Sequence, residues 1–87
     1  MERREKILLF IHDYTTELSI APTFREVGGG VGLKSPATVH EHLTVLKDEG
    51  VITYIEKSSR TLRLTEKGKK RVANLKERKG YGEVRFN

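Results

Sequence analysis

Between Ser35 and Glu41 the chain reads SPATVHE, a run rich in short side chains that donate or accept hydrogen bonds. Ser35 and Pro36 open a helix: the hydroxyl caps it, and proline takes the first position, where its missing N–H costs nothing. Val39, Leu43 and Leu46 fall on one side of that helix, and Ala37, Glu41, Thr44 and Asp48 lie nearly opposite. Thr38 and Val45 flank the free face on one side and His40 on the other, with His42 near the margin of the buried face. The N-terminal half of the free face therefore offers Ala37, Thr38, His40 and Glu41. Their chemistry suits the edges of base pairs in a DNA major groove. Ala37 permits close approach, the Thr38 methyl can meet a thymine methyl, Glu41 can accept from cytosine N4, and His40 can donate to a guanine edge or a phosphate. The Ser35 hydroxyl and the helix N-terminal amides can hold a phosphate oxygen and set the register. Arg25, Lys34, Ser59 and Arg60 are the candidate backbone contacts.

Other chemistry finds little footing. His40 and His42 point to different faces of their helix, and His12 is remote in sequence. No His, Asp or Glu pair stands out at helical metal-clamp spacing, and no nucleophile has a recognisable base beside it. The expectation is a protein that is not an enzyme and needs no cofactor or metal. With no cysteine there is neither a disulfide framework nor a thiolate site. That fits a cytoplasmic location, as does the lack of an apolar run long enough for a membrane span or a signal peptide.

The elements that must position these side chains are legible around them. Ile7, Leu8, Ile11, Tyr14, Thr15 and Leu18 recur at helical spacings and predict a first helix from about Glu2 to Leu18, with Phe10 off the stripe and free to touch a neighbouring element. Pro22 breaks the chain after Ser19, and Ile20 is expected to add a short edge strand to a small sheet. Thr23 and Glu26 form a capping box that starts a second helix. Gly28-Gly29-Gly30 then weakens it, since each glycine costs a helix about 1 kcal/mol relative to alanine. The run is read as a locally loose helix held by its tertiary neighbours, with close approach of another backbone, DNA or a partner, as the alternative. Val31-Gly32-Leu33 turns the chain into the third helix, which Gly50 ends. Residues 51–55 and 61–65 predict two strands joined by a turn at Ser58-Ser59-Arg60, with Leu62 and Leu64 inward. Thr65 is placed to cap a last helix over residues 66–78, whose apolar residues Val72 and Leu75 are few, and Tyr81, Val84 and Phe86 mark a tail that can dock but not fold alone.

The 87 residues carry a net charge of +5, distributed unevenly. Residues 34–50 sum to −1, whereas residues 51–65 sum to +2 and residues 66–87 to +5. Attraction to a polyanion would come from the hairpin and the C-terminal segment, and selectivity from the third helix.

From Ile7 to Leu64 the chain resembles the N-terminal DNA-binding domain of LexA, the bacterial SOS repressor. The resemblance rests on Pro22-Thr23, Arg25-Glu26-Val27, Val31-Gly32-Leu33, Ser35-Pro36, His42-Leu43 and Gly50-Val51-Ile52. Ala21 stands where that family has a first proline, and Gly29-Gly30 replace better helix formers. The resemblance implies a winged helix whose third helix enters the major groove, with Ser35, Ala37, Thr38, His40 and Glu41 at reading positions. No Ala-Gly cleavage site or serine–lysine peptidase domain follows within these residues, so it implies no self-cleavage switch. The stretch from Leu64 to Gly80 resembles the strand-to-helix exit of MarR-like winged helices, where a terminal helix mediates dimerisation; a basic helix packed on the first helix of a monomer is the plainer reading.

The expectation is thus a mainly α fold with a small β-hairpin: a winged helix-turn-helix with a three-helix core, a two- or three-stranded wing and an extra C-terminal helix. Residues 1–65 would form the DNA-binding domain, and residues 66–87 a basic helix and tail available for a homodimer. Its partner would be double-stranded DNA, with no membrane involved, and its role that of a small transcriptional regulator, expected to repress. The rival reading is a winged helix used for protein contact, without DNA affinity of its own.

Overall fold

The computed structural model describes residues 2–79 of the chain. Four helices and one hairpin follow in the order α1 (Arg3–Leu18), α2 (Phe24–Val31), α3 (Pro36–Asp48), β1 (Ile52–Thr53), β2 (Arg63–Leu64) and α4 (Glu66–Lys79). The order is that of a winged helix-turn-helix. α1 lies at the centre, against α2 on one side and against α4 and β2 on the other, while α3 packs on α2 and β1.

That central position explains the burial along α1. Ile7, Leu8, Leu9 and Ile11 are all buried, because neighbours meet the helix on more than one side. The predicted stripe fails at its C-terminal end. Thr15 is exposed and Leu18 is 41% exposed, since α1 outruns the elements that cover it. The helix ends before Pro22 acts: Ser19 adopts the left-handed conformation, φ 60°, and its N–H bonds the Thr15 carbonyl. Ile20 forms no strand and stays 47% exposed, so among the described residues the sheet has two strands.

α2 starts at the predicted capping box. The Thr23 hydroxyl accepts from the Glu26 N–H at 3.1 Å, and the Glu26 carboxylate accepts from the Thr23 N–H at 2.8 Å. The helix runs through all three glycines to Val31. Two of them are there for contact. A Cβ on Gly28 would come 2.9 Å from Val39 Cγ2 and 3.2 Å from the Leu33 carbonyl oxygen, and one on Gly30 would land on the Phe10 ring. The run thus lets α3 and Phe10 of α1 approach α2 closely; only Gly29 faces open space.

The strands are shorter than predicted: only Ile52↔Leu64 and Thr53↔Arg63 pair, antiparallel. The rest of the hairpin is held by side chains. Thr61 Oγ1 accepts from the Ile55 N–H at 2.9 Å, and Tyr54 is buried with its ring edge-on to Phe24 at 5.0 Å. Thr65 links the hairpin to α4. Its hydroxyl accepts from the Gly68 N–H at 3.1 Å and donates to the Gly50 carbonyl at 2.6 Å. Gly68 lets α4 press on the chain just before β1, since a Cβ there would overlap the Val51 carbonyl. Val72 and Leu75 of α4 join the same core as α1 and α3. The predicted tail at Tyr81, Val84 and Phe86 lies outside the described residues. Among the described residues no helix is long and apolar enough to cross a membrane.

Candidate nucleic-acid interface

α3 is anchored by Val39, Leu43 and Leu46, which are 3%, 0% and 1% exposed and lock its rotation about its own axis. With that face fixed, Pro36, Ala37, His40 and Glu41 stand exposed, and Thr38 is half-buried beside them. Ser35 caps the helix, its hydroxyl accepting from the Thr38 N–H at 3.4 Å, and remains exposed. α3 ends in an exposed stretch of its own, but its later residues are engaged elsewhere. Lys47 donates to the Tyr54 carbonyl at 3.1 Å with its ammonium 4.2 Å from the Tyr54 ring centre, and His42 faces Arg4 at 3.2 Å. At the N-terminal end of α3, the exposed side chains gather beside the turn from α2.

An open groove of about 580 Å³ runs between α2 and this end of α3, lined by Phe24, Arg25, Gly28, Leu33, Lys34, Pro36, Ala37, Val39 and His40. It brings together four of the predicted contacts, Arg25, Lys34, Ala37 and His40. Ser35, Thr38 and Glu41 lie on the same helix end. Its lining is mainly apolar, and Arg25 and Lys34 are its exposed cations.

Ser59 and Arg60 are placed apart from that groove. They line a second, shallower one of about 350 Å³ between the hairpin loop and the start of α2, with Phe24 and Arg25 forming the ridge between the two. Arg60 is 42% exposed at its side chain, which bonds back to the start of α2. Its backbone is left-handed, φ 59°, and the guanidinium turns back. Nη1 donates to the Ala21 carbonyl at 2.8 Å and to Glu26 Oε1 at 3.1 Å, and Nη2 donates to Glu26 Oε2 at 3.2 Å. The Tyr14 side chain completes the cluster as a hydrogen-bond partner of both. The Thr23 N–H, then Arg60 and Tyr14, hold the Glu26 carboxyl down at about 2, against a partial opposing effect of burial.

The rest of the loop, Ile55, Glu56, Lys57 and Ser58, is exposed as Ser59 and Arg60 are, with Ile55 at 65%. Glu56 reaches toward α3, its carboxylate 3.8 Å from His40 Nε2. Lys57 lies in the same loop, exposed and with a left-handed backbone, φ 62°.

A model of the LexA DNA binding domain matches residues 1–61. The chain is similar to the LexA repressor of Carboxydothermus hydrogenoformans, 42% identical over 62 residues, which cover 71% of this chain and 30% of that protein. It is similar to the LexA repressor of Bifidobacterium longum at 45% over 51 residues (59% of this chain, 21% of that protein). The LexA repressor of Oenococcus oeni matches at 40% over 62 residues, covering 71% and 29%. The matches thus span less than a third of these relatives. The helix order, the capped turn into α3 and the matched residues agree: the chain belongs to the LexA DNA-binding domain family.

Proposed function

We propose that this chain binds double-stranded DNA in a sequence-dependent way and acts as the DNA-reading part of a transcriptional repressor. The observation that carries the reading is the groove beside the N-terminal end of α3, where Arg25 and Lys34 flank Ala37 and His40. Thr38, His40 and Glu41 read base edges, with Ala37 keeping the helix close to the groove floor. Ser35, Arg25 and Lys34 hold phosphates, and Lys57 adds a contact from the hairpin loop. The family's relatives are named repressors, which supports the same role here.

Selection of duplexes from a random pool, followed by gel shift at two salt concentrations, tests the proposal. The expected outcome is an enriched consensus. His40→Ala with Glu41→Ala should lose preference for that consensus by about 1–3 kcal/mol per base pair read, while random duplex is bound as before. Lys34→Ala should weaken every duplex and lower the salt slope by about one. An equal loss on consensus and random DNA in the His40 and Glu41 variant would overturn the reading residues, and no binding at low salt would overturn the function. A palindromic consensus would report a dimer, and a lone half-site a monomer.

A further inference from the structure

We infer that Arg60 positions the wing for DNA instead of touching DNA, through its paired hydrogen bonds to Glu26. The inference rests on the DNA-binding function proposed above.

Three observations carry it. First, the guanidinium is bonded within the molecule, although the side chain is 42% exposed. Its two Nη atoms meet the two Glu26 oxygens at 3.1 and 3.2 Å, and Nη1 also meets the Ala21 carbonyl at 2.8 Å. This is the fork-to-fork geometry that only arginine supplies. Second, the bond spans the places that need tying. Only two residue pairs join the strands, and the loop beyond them closes on itself through Thr61. From the far side of that loop, Arg60 reaches the N-terminal turn of α2, the helix on which α3 is packed. Third, the Arg60 guanidinium turns toward α2 while Lys57 and Glu56 stay exposed, with Glu56 beside His40. The brace therefore fixes the loop's distance from the reading end of α3. Without it the loop would have to be ordered on binding, and that ordering would be subtracted from affinity.

A brace and a phosphate contact predict opposite things, and Glu26→Gln separates them. Glutamine keeps the capping box and the shape, so α2 should remain folded. It removes a negative charge, which would strengthen DNA binding if Arg60 were thereby freed for phosphate. The brace predicts a loss of about fivefold in affinity for the consensus duplex despite the gained positive charge. Arg60→Lys, which preserves charge but not the fork, should lose a similar factor with an unchanged salt slope. Amide hydrogen exchange in the DNA-free protein gives an independent readout. In both variants the Ile55 and Ser58 amides should exchange faster while those of α3 keep their protection. Tighter binding by Glu26→Gln, a salt slope lowered by about one in Arg60→Gln, or unchanged exchange at Ile55 and Ser58 would each overturn the brace. A wild-type chain that binds no duplex, with faster loop exchange in the variants, would leave the brace standing as a structural tie and overturn the function it serves.

Discussion

The three consecutive glycines of α2 separate a packed helix from a loose one. Replace each by alanine in turn. The intrinsic gain is the same at every position, about 1 kcal/mol in favour of alanine. At Gly29 nothing lies within 4 Å of the added carbon, so Gly29→Ala should stabilise by about 0.5–1 kcal/mol. At Gly28 the methyl meets Val39 Cγ2 at 2.9 Å and the Leu33 carbonyl at 3.2 Å. Val39 is 3% exposed, and the Leu33 N–H is itself bonded to the Gly28 carbonyl at 2.8 Å, so neither can yield alone. Overpacking of this kind costs roughly 1–3 kcal/mol, which after the intrinsic gain leaves Gly28→Ala destabilising by up to about 2 kcal/mol. At Gly30 the methyl falls on the Phe10 ring, which is half-buried and can swing, at the loss of its tilted contact with Tyr14 at 5.5 Å. Gly30→Ala should therefore cost about 1 kcal/mol, and should turn stabilising once Phe10 is alanine, a coupling of about 2 kcal/mol across the cycle. Urea unfolding followed by circular dichroism reads all five variants. If the three single alanines stabilise alike, the glycines are not packing contacts and the close approach of α1 and α3 to α2 is wrong.

Two further perturbations probe the charges. Folding holds the Glu26 carboxyl at about 2 against an ordinary 4.5, so its contribution is complete above roughly pH 5 and is lost as the pH falls toward 2. The full linkage is roughly 3 kcal/mol, but the side chain is 34% exposed and solvent screening reduces it to about 1–2. Acid titration of urea midpoints should show that loss in the wild type and not in Glu26→Gln; parallel curves would refute it. Asp13 is 3% exposed at its side chain, takes Lys76 at 2.7 Å and His12 at 2.8 Å on Oδ1, and leaves Oδ2 buried without a hydrogen-bond partner. Lys76→Met should cost about 3 kcal/mol, and adding Asp13→Asn should recover part of it, because the cost is a buried carboxylate that loses the ammonium charge while keeping His12. No recovery in the double variant would show that Lys76 matters for packing instead.

Local chemistry made much of the fold readable in one dimension. Thr23 and Glu26, Ser35 and Pro36, and Thr65 each announced a helix start, because a cap acts on amides only two or three residues away. The apolar spacing of Val39, Leu43 and Leu46 fixed which side of α3 is buried, and hence that Ala37, His40 and Glu41 face out. The errors lie where the outcome depended on distant residues. Thr15 and Leu18 keep the helical period, but among the described residues both stay exposed. Leu9 breaks the period and is buried, because α1 is covered on several sides.

The division is sharpest at Arg60. Composition and turn residues announced a basic residue in a hairpin loop, and with it a phosphate contact. Only the folded chain brings Glu26, 34 residues earlier, against that guanidinium and leaves Lys57 facing outward. Caps and faces are set by bonds within a helical turn and so are written in order along the chain. A cation's partner is set by which elements meet in space, and that is decided by the packing of α1, α2 and the hairpin around one core.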